Sequence, residues 1–196
     1  MPSFRLFSFR LWLLSLALFG CVLQVQANPG LTSQQVAGYV SLLPDVRAFS
    51  QRLGTELGTE LQRELQPTEG EAFAPHSKGL AMLKQRQPDN YRSLSQLVES
   101  GGFPSAEAWA SAGDRVMLGY AALKAEQASP ELLAMAAGMD PQMLALMPPA
   151  MQARVKQVQL LARTLAAVDP ADMAVVRPLV PQLDTYWRQD WQRIQP

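Results

Sequence analysis

The chain is poor in the residues that carry reactive chemistry. It holds one cysteine, Cys21, and one histidine, His76, in 196 residues. Those two counts exclude an internal disulfide, a zinc finger and any multi-histidine metal site. Cys21 lies in a segment that reads as an export leader, so thiol catalysis is excluded for the processed chain as well. Isoleucine occurs once, at Ile194, and no apolar-polar alternation runs through the sequence. A half-buried β-strand therefore lacks its pattern. Neither sign of charge dominates, with 17 lysines and arginines against 17 acids. Without Arg5 and Arg10 the chain from residue 28 is two charges negative. That excludes the basic footprint of a nucleic-acid binder or of a protein held on an anionic membrane. No apolar run after residue 23 is long enough to cross a membrane. There is no glycine-rich phosphate loop and no serine in a nucleophile elbow.

What is present begins with the leader. Residues 2–10 carry Arg5 and Arg10 and no acid, and residues 11–23 are uncharged. Val25 and Ala27 then stand three and one residues before a possible cut. This is the pattern of a secretory signal cleaved after Ala27, with residues 28–196 as one exported, periplasmic domain. Leu18-Phe19-Gly20-Cys21 offers the alternative of a lipoprotein anchored at Cys21.

Alanine, leucine and glutamine dominate the remainder, and these lose little rotamer freedom in a helix. The expected fold is all-α, a compact bundle of about 7–10 helices with short connections marked by proline. Ser129-Pro130, Asp140-Pro141 and Asp169-Pro170 each put a capping side chain before a proline. Thr32 and Ser105 are further N-caps, and Gly101-Gly102 is a stop. The predicted helices span 32–42, 45–66, 78–86, 89–100, 105–127, 130–138, 141–147, 150–168, 170–177 and 179–194. Four have a face to bury. These are Val46, Phe49, Leu53, Leu57 and Leu61; Trp109, Ala112, Val116, Tyr120 and Leu123; Met151, Val155, Val158, Ala162 and Leu165; and Leu183, Trp187 and Ile194.

Few side chains suggest chemistry. Glu56, Glu60 and Glu64 fall four apart and repel unless solvated, or else meet a basic partner or a divalent cation. His76 follows a proline with no base-orienting neighbour in sequence, and reads as an exposed loop residue. A hydrolase would require the fold to bring it to a serine and a carboxylate. Gly113 inside a helix points to close packing against another helix. Asp114 and Arg115, about 100° apart on that helix, should find separate partners in a structural ion pair or a functional site. Met135, Met139, Met143, Met147 and Met151 recur every four residues. Core packing is the first reading, and the alternatives are an adaptable groove for a peptide or lipid and a soft Cu(I) site. Pro141 and Pro148-Pro149 interrupt the series, and no histidine or cysteine completes a metal set. The tail Tyr186-Trp187-Arg188-Gln189-Asp190-Trp191 either docks on the bundle or lies at a membrane interface.

The run Gly102-Phe103-Pro104-Ser105-Ala106-Glu107-Ala108-Trp109-Ala110, followed by Gly113-Asp114-Arg115-Val116, resembles a pattern in an uncharacterised family of small exported helical proteins of Gram-negative bacteria. Leu31-Thr32-Ser33 and Leu43-Pro44-Asp45-Val46 add a weaker likeness. The resemblance implies an envelope location and a helical fold, and it brings no catalytic residues. The expectation is a non-catalytic binding or protein-interaction module of the envelope, without a cofactor, whose partner is another envelope protein or a peptide. A carrier of a small apolar ligand or Cu(I) at residues 135–151 is the alternative.

Overall fold

A computed structural model describes residues 30–53, 71–128, 130, 134 and 140–194. Among them every regular element is helical. Helix α1 (Ser33–Arg52) starts at Thr32, whose hydroxyl accepts from the Gln35 N–H at 3.2 Å while the Gln35 side chain accepts from the Thr32 N–H at 2.9 Å. This reciprocal cap satisfies two donors that a helix start leaves open. The break predicted at Leu43-Pro44 does not occur, because α1 continues through Pro44. A proline forfeits one backbone hydrogen bond. Tyr39, Val40 and Leu42 before it and Phe49 after it are all buried, so packing holds the helix on both sides.

Helices α2 (Pro75–Arg86) and α3 (Pro88–Ser100) are separated only by Gln87. Gly102 adopts φ +94°, a conformation glycine takes without steric cost, and turns the chain toward α4 (Ala106–Ala128). A Cβ on the neighbouring Gly101 would lie 2.5 Å from the end of the Leu42 side chain, so a side chain there would have to displace Leu42. The Ser105 hydroxyl accepts from Ala108 N–H at 3.1 Å and caps α4 as the sequence indicates. Asp140 and Asp169 do the same for α5 (Pro141–Ala145) and α7 (Pro170–Val176), each accepting at 2.8 Å. Helix α6 (Pro149–Ala166) lies between them. A 3-10 turn (Arg177–Leu179) leads into α8 (Val180–Ile194).

Helix α4 is the central post, packed against α1, α2, α3, α6 and α7. Its predicted stripe is buried at Trp109, Ala112, Val116 and Leu123 and half-buried at Tyr120. The predicted α6 stripe is only partly buried. Ala162 and Leu165 are in the core, whereas Met151 and Val158 face solvent. Only the C-terminal half of α6 reaches the bundle's apolar surface. Phe49 of the α1 stripe is buried, Val46 and Leu53 pack beside it, and Leu57 and Leu61 lie outside the described residues. Leu183 is fully buried, and Trp187 packs on the core and edge-on to Tyr120 at 4.6 Å, which docks the tail. The leader, Ser129, all of the predicted helix 130–138 except residues 130 and 134, and the side chains of Trp191 and Ile194 also lie outside the described residues. No described helix is long and apolar enough to cross a membrane.

Candidate functional site

The first turn of α2 is built without a cap of its own. Ala74 precedes Pro75 and has no side chain to offer. Pro75 has no N–H, which leaves His76 and Ser77 with donors in need of acceptors. Both are taken by one carboxylate from another helix. Asp114 of α4 accepts the His76 N–H at 2.6 Å and the Ser77 N–H at 3.1 Å. It also accepts the Ser77 hydroxyl at 2.6 Å and lies 3.2 Å from His76 Nδ1. Residues 38 apart in sequence thus make a single helix start. An anion at that end is further favoured by the helix dipole.

This moves His76 from the exposed loop expected of it. It is the second residue of α2, and its side chain is only 15% exposed. An ionised carboxylate can only accept, so Nδ1 donates to Asp114 and Nε2 is left as an acceptor. The Tyr39 hydroxyl lies 2.6 Å from it and is the donor. Burial first, and the Asp114 charge second, push the Tyr39 phenol well above its ordinary range, so it stays protonated and donates. Trp109 closes the group, stacked on Tyr39 at 6.0 Å and edge-on to His76 at 5.6 Å. Gly113 makes the assembly possible. A Cβ there would lie 2.6 Å from Tyr39 and 3.0 Å from His76, which is the close packing its sequence position implies.

His76 therefore meets a carboxylate and a hydroxyl, but not in the order a serine hydrolase needs. The hydroxyl on Nε2 is a buried phenol that holds its proton. Ser77 binds the second oxygen of Asp114 and makes no bond to the imidazole. Both ring nitrogens serve to join α1, α2 and α4.

Arg115 points the other way, as the helix spacing predicts. It grips Asp172 of α7 through two N–H groups, at 2.7 and 2.6 Å. Asp172 is buried and also accepts the Leu31 N–H at 3.0 Å, fixing the chain just ahead of α1. Tyr120 donates to Asp184 of α8 at 2.5 Å. Asp114, Arg115 and Tyr120 are thus three successive ties from one helix to three neighbours.

Beside this cluster lies a cleft between α1, α2 and α4. One hollow of it, about 230 Å³ and open to solvent, is walled by apolar side chains including Phe49, Leu53, Leu80, Leu83, Leu94 and Met117. A second hollow of about 290 Å³ is lined by Tyr39, Leu43, Arg47, Gln51, Tyr186 and Trp187. Val46, Ser50, His76 and Trp109 line both. The Arg47 guanidinium donates to the Tyr186 carbonyl at 2.9 Å in the wall of the second hollow. Trp109 is 5% exposed, and its Nε1–H is the one buried side-chain polar atom among the described residues without a hydrogen-bond partner. A larger hollow of about 450 Å³ between α1 and α8 lies away from His76, among residues such as Ser41, Gln182 and Thr185 that are already exposed.

The methionines are elsewhere. Met143 is 59% exposed and Met151 53% exposed, so neither packs in a core, while Met147 is half-buried. Pro148 and the turn around it separate Met143 from Met151. Met135, Met139, Glu56, Glu60 and Glu64 lie outside the described residues. Among the described residues no three of His, Cys, Asp and Glu gather as a metal site. Sequence reasoning missed Tyr39, Ser77, Asp172 and the cleft. One signal was available: a proline at the start of α2 with no capping side chain before it implies an acceptor borrowed from elsewhere.

No family model, curated protein or solved structure matches this chain.

Proposed function

We propose that the protein is an exported, non-catalytic binding module of the cell envelope, and that it holds a small, mostly apolar ligand in the cleft between α1, α2 and α4. The observation that carries this reading is the open hollow of about 230 Å³, walled almost wholly by apolar side chains and bounded by the His76–Trp109 edge. An engineered apolar cavity of about 150 Å³ already takes up benzene. The space here accommodates a ring bearing a substituent, or a short acyl chain. Together the two hollows enter the size range of ordinary ligand sites, about 300–1,000 Å³. The paired arginines, uncharged run and Val25-Gln26-Ala27 ending of residues 2–27 support export.

The test is a fluorescence titration of the processed protein with an apolar naphthylamine probe, read on the probe and on Trp109 and Trp187, which line the cleft. Saturable binding that is lost in Ser50→Phe, a substitution at the junction of the two hollows, is the expected result. Binding unchanged by Ser50→Phe, or no saturable binding at all, overturns the proposal. Ser50 is exposed, so this variant keeps its fold, and circular dichroism checks that it does.

A further inference from the structure

From residue 28 onward the chain has no cysteine, so its thioethers are the side chains that a two-electron oxidant attacks first. Oxidation turns a flexible apolar side chain into a polar sulfoxide. That change disturbs a packed core and costs nothing in water. What oxidation does to this protein therefore depends on which methionines the oxidant reaches.

The fold sorts them by access. Met117 lines the first hollow of the cleft, and Met173 packs against the core. Met82 and Met147 are half-buried. Met143 and Met151 are 59% and 53% exposed, although methionine is among the residues most often buried. The two stand on either side of the Pro148 turn, one in α5 and one in the first turn of α6. Leu146 between them is 88% exposed, and neither methionine packs against the core. A polar group added at either position meets solvent and displaces no neighbour.

We propose that Met143 and Met151 form a reversible oxidation site, each taking one oxygen from hydrogen peroxide ahead of Met117 and Met173 and without cost to the fold. In each step the O–O bond of the peroxide breaks and a sulfur–oxygen bond forms. The sulfur gives up two electrons, and the second peroxide oxygen leaves as water with both protons. The sulfoxide stays at the surface, open to the reductases that restore methionine. The α5–α6 surface becomes more polar, while the sulfurs of the cleft and the core are spared. This site stands apart from the cleft and does not rest on what the cleft holds.

The test exposes the processed protein to excess hydrogen peroxide, quenches it at intervals and follows each methionine by peptide mass spectrometry. Met143 and Met151 should oxidise at least about fivefold faster than Met117 and Met173, because access governs the rate. In urea the difference should vanish, since it comes from the fold. Met143→Leu/Met151→Leu, treated for the same time, should lose as much urea midpoint as the wild type, which shows that sulfoxides at these two positions cost nothing. Reductases for the two sulfoxide epimers, with a thiol reductant, should return both residues to methionine in the folded protein. The proposal is overturned if Met117 or Met173 oxidises as fast as Met143 and Met151, or if the order persists in urea. It is equally overturned if the treated wild type loses more midpoint than the treated variant, or if the reductases leave the two sulfoxides in place.

Discussion

Helices α4 and α6 solve opposite problems. On α4, polar side chains are drawn inward and each is answered by a neighbour. Asp114 has four donors, Arg115 a two-point grip, and Tyr120 an acid. On α6, apolar side chains are turned outward. The only side-chain hydrogen bonds described there are Gln152 to the carbonyls of the preceding turn and Thr164 to its own helix. The first arrangement fixes geometry, as buried, fully paired polar groups do. The second leaves apolar side chains open to solvent. Rigidity and availability are thus assigned to different helices.

The contrast is broken hardest at Asp114. Asp114→Ala leaves the His76 and Ser77 N–H groups, the Ser77 hydroxyl and the imidazole without their acceptor. The expected loss is about 3–5 kcal/mol, in the range for uncovering one side of a buried charged network. Urea denaturation measures it. Asp114→Asn, which keeps one acceptor oxygen, should lose less. Gly113→Ala comes next. Its methyl meets Tyr39 at 2.6 Å, and relief of that overlap should cost about 1–3 kcal/mol. The same variant should weaken probe binding in the cleft, because Tyr39 and His76 both line it. On α6, Leu161→Gln should change stability by no more than about 0.5 kcal/mol, as for surface positions without specific contacts. A loss near that of Gly113→Ala would show that α6 is built like α4 after all.

The smallest effect belongs to the surface. Glu107 accepts from the Tyr91 hydroxyl at 2.7 Å and from Lys84 at 3.1 Å. The Tyr91 bond first, then the Lys84 bond, hold its carboxyl down at about 2, against an ordinary value of 4.5. A lowered carboxyl stabilises the fold above about pH 4.5, and that contribution is lost as the pH falls toward 2. Glu107 is 54% exposed, which limits the effect to under about 1 kcal/mol. Glu107→Gln should flatten the acid limb of a stability-versus-pH curve by that amount. An unchanged acid limb would mean that the Tyr91–Lys84–Glu107 contact contributes nothing in solution.

Local chemistry was legible in the sequence. Thr32, Ser105, Asp140 and Asp169 cap where their side chains and the following residues say they should. The α4 stripe, the tight approach at Gly113 and the opposed partners of Asp114 and Arg115 follow from helix geometry alone. What escaped depends on neighbours far along the chain. Pro44 reads as a break until burial on both sides of it is known. The seam of α6 reads as core because periodicity shows that a face is apolar and not whether anything covers it. His76 reads as exposed because its partners come from residues 39 and 114, and no local pattern links the three. The cleft escaped for the same reason, since its walls come from separate helices.

The borrowed cap of α2 has a consequence for how this sequence can change. Positions 74 and 114 share one task, so what is tolerated at 114 depends on what stands at 74. An aspartate or serine at 74 would give α2 its own acceptor and relax the demand on 114. An alanine at 74 makes the acid at 114 indispensable. In Ala74→Asp/Asp114→Asn the helix start should recover while the hold on the imidazole should not. The two duties of Asp114, otherwise performed by the same pair of oxygens, would then belong to different residues and could be inherited separately.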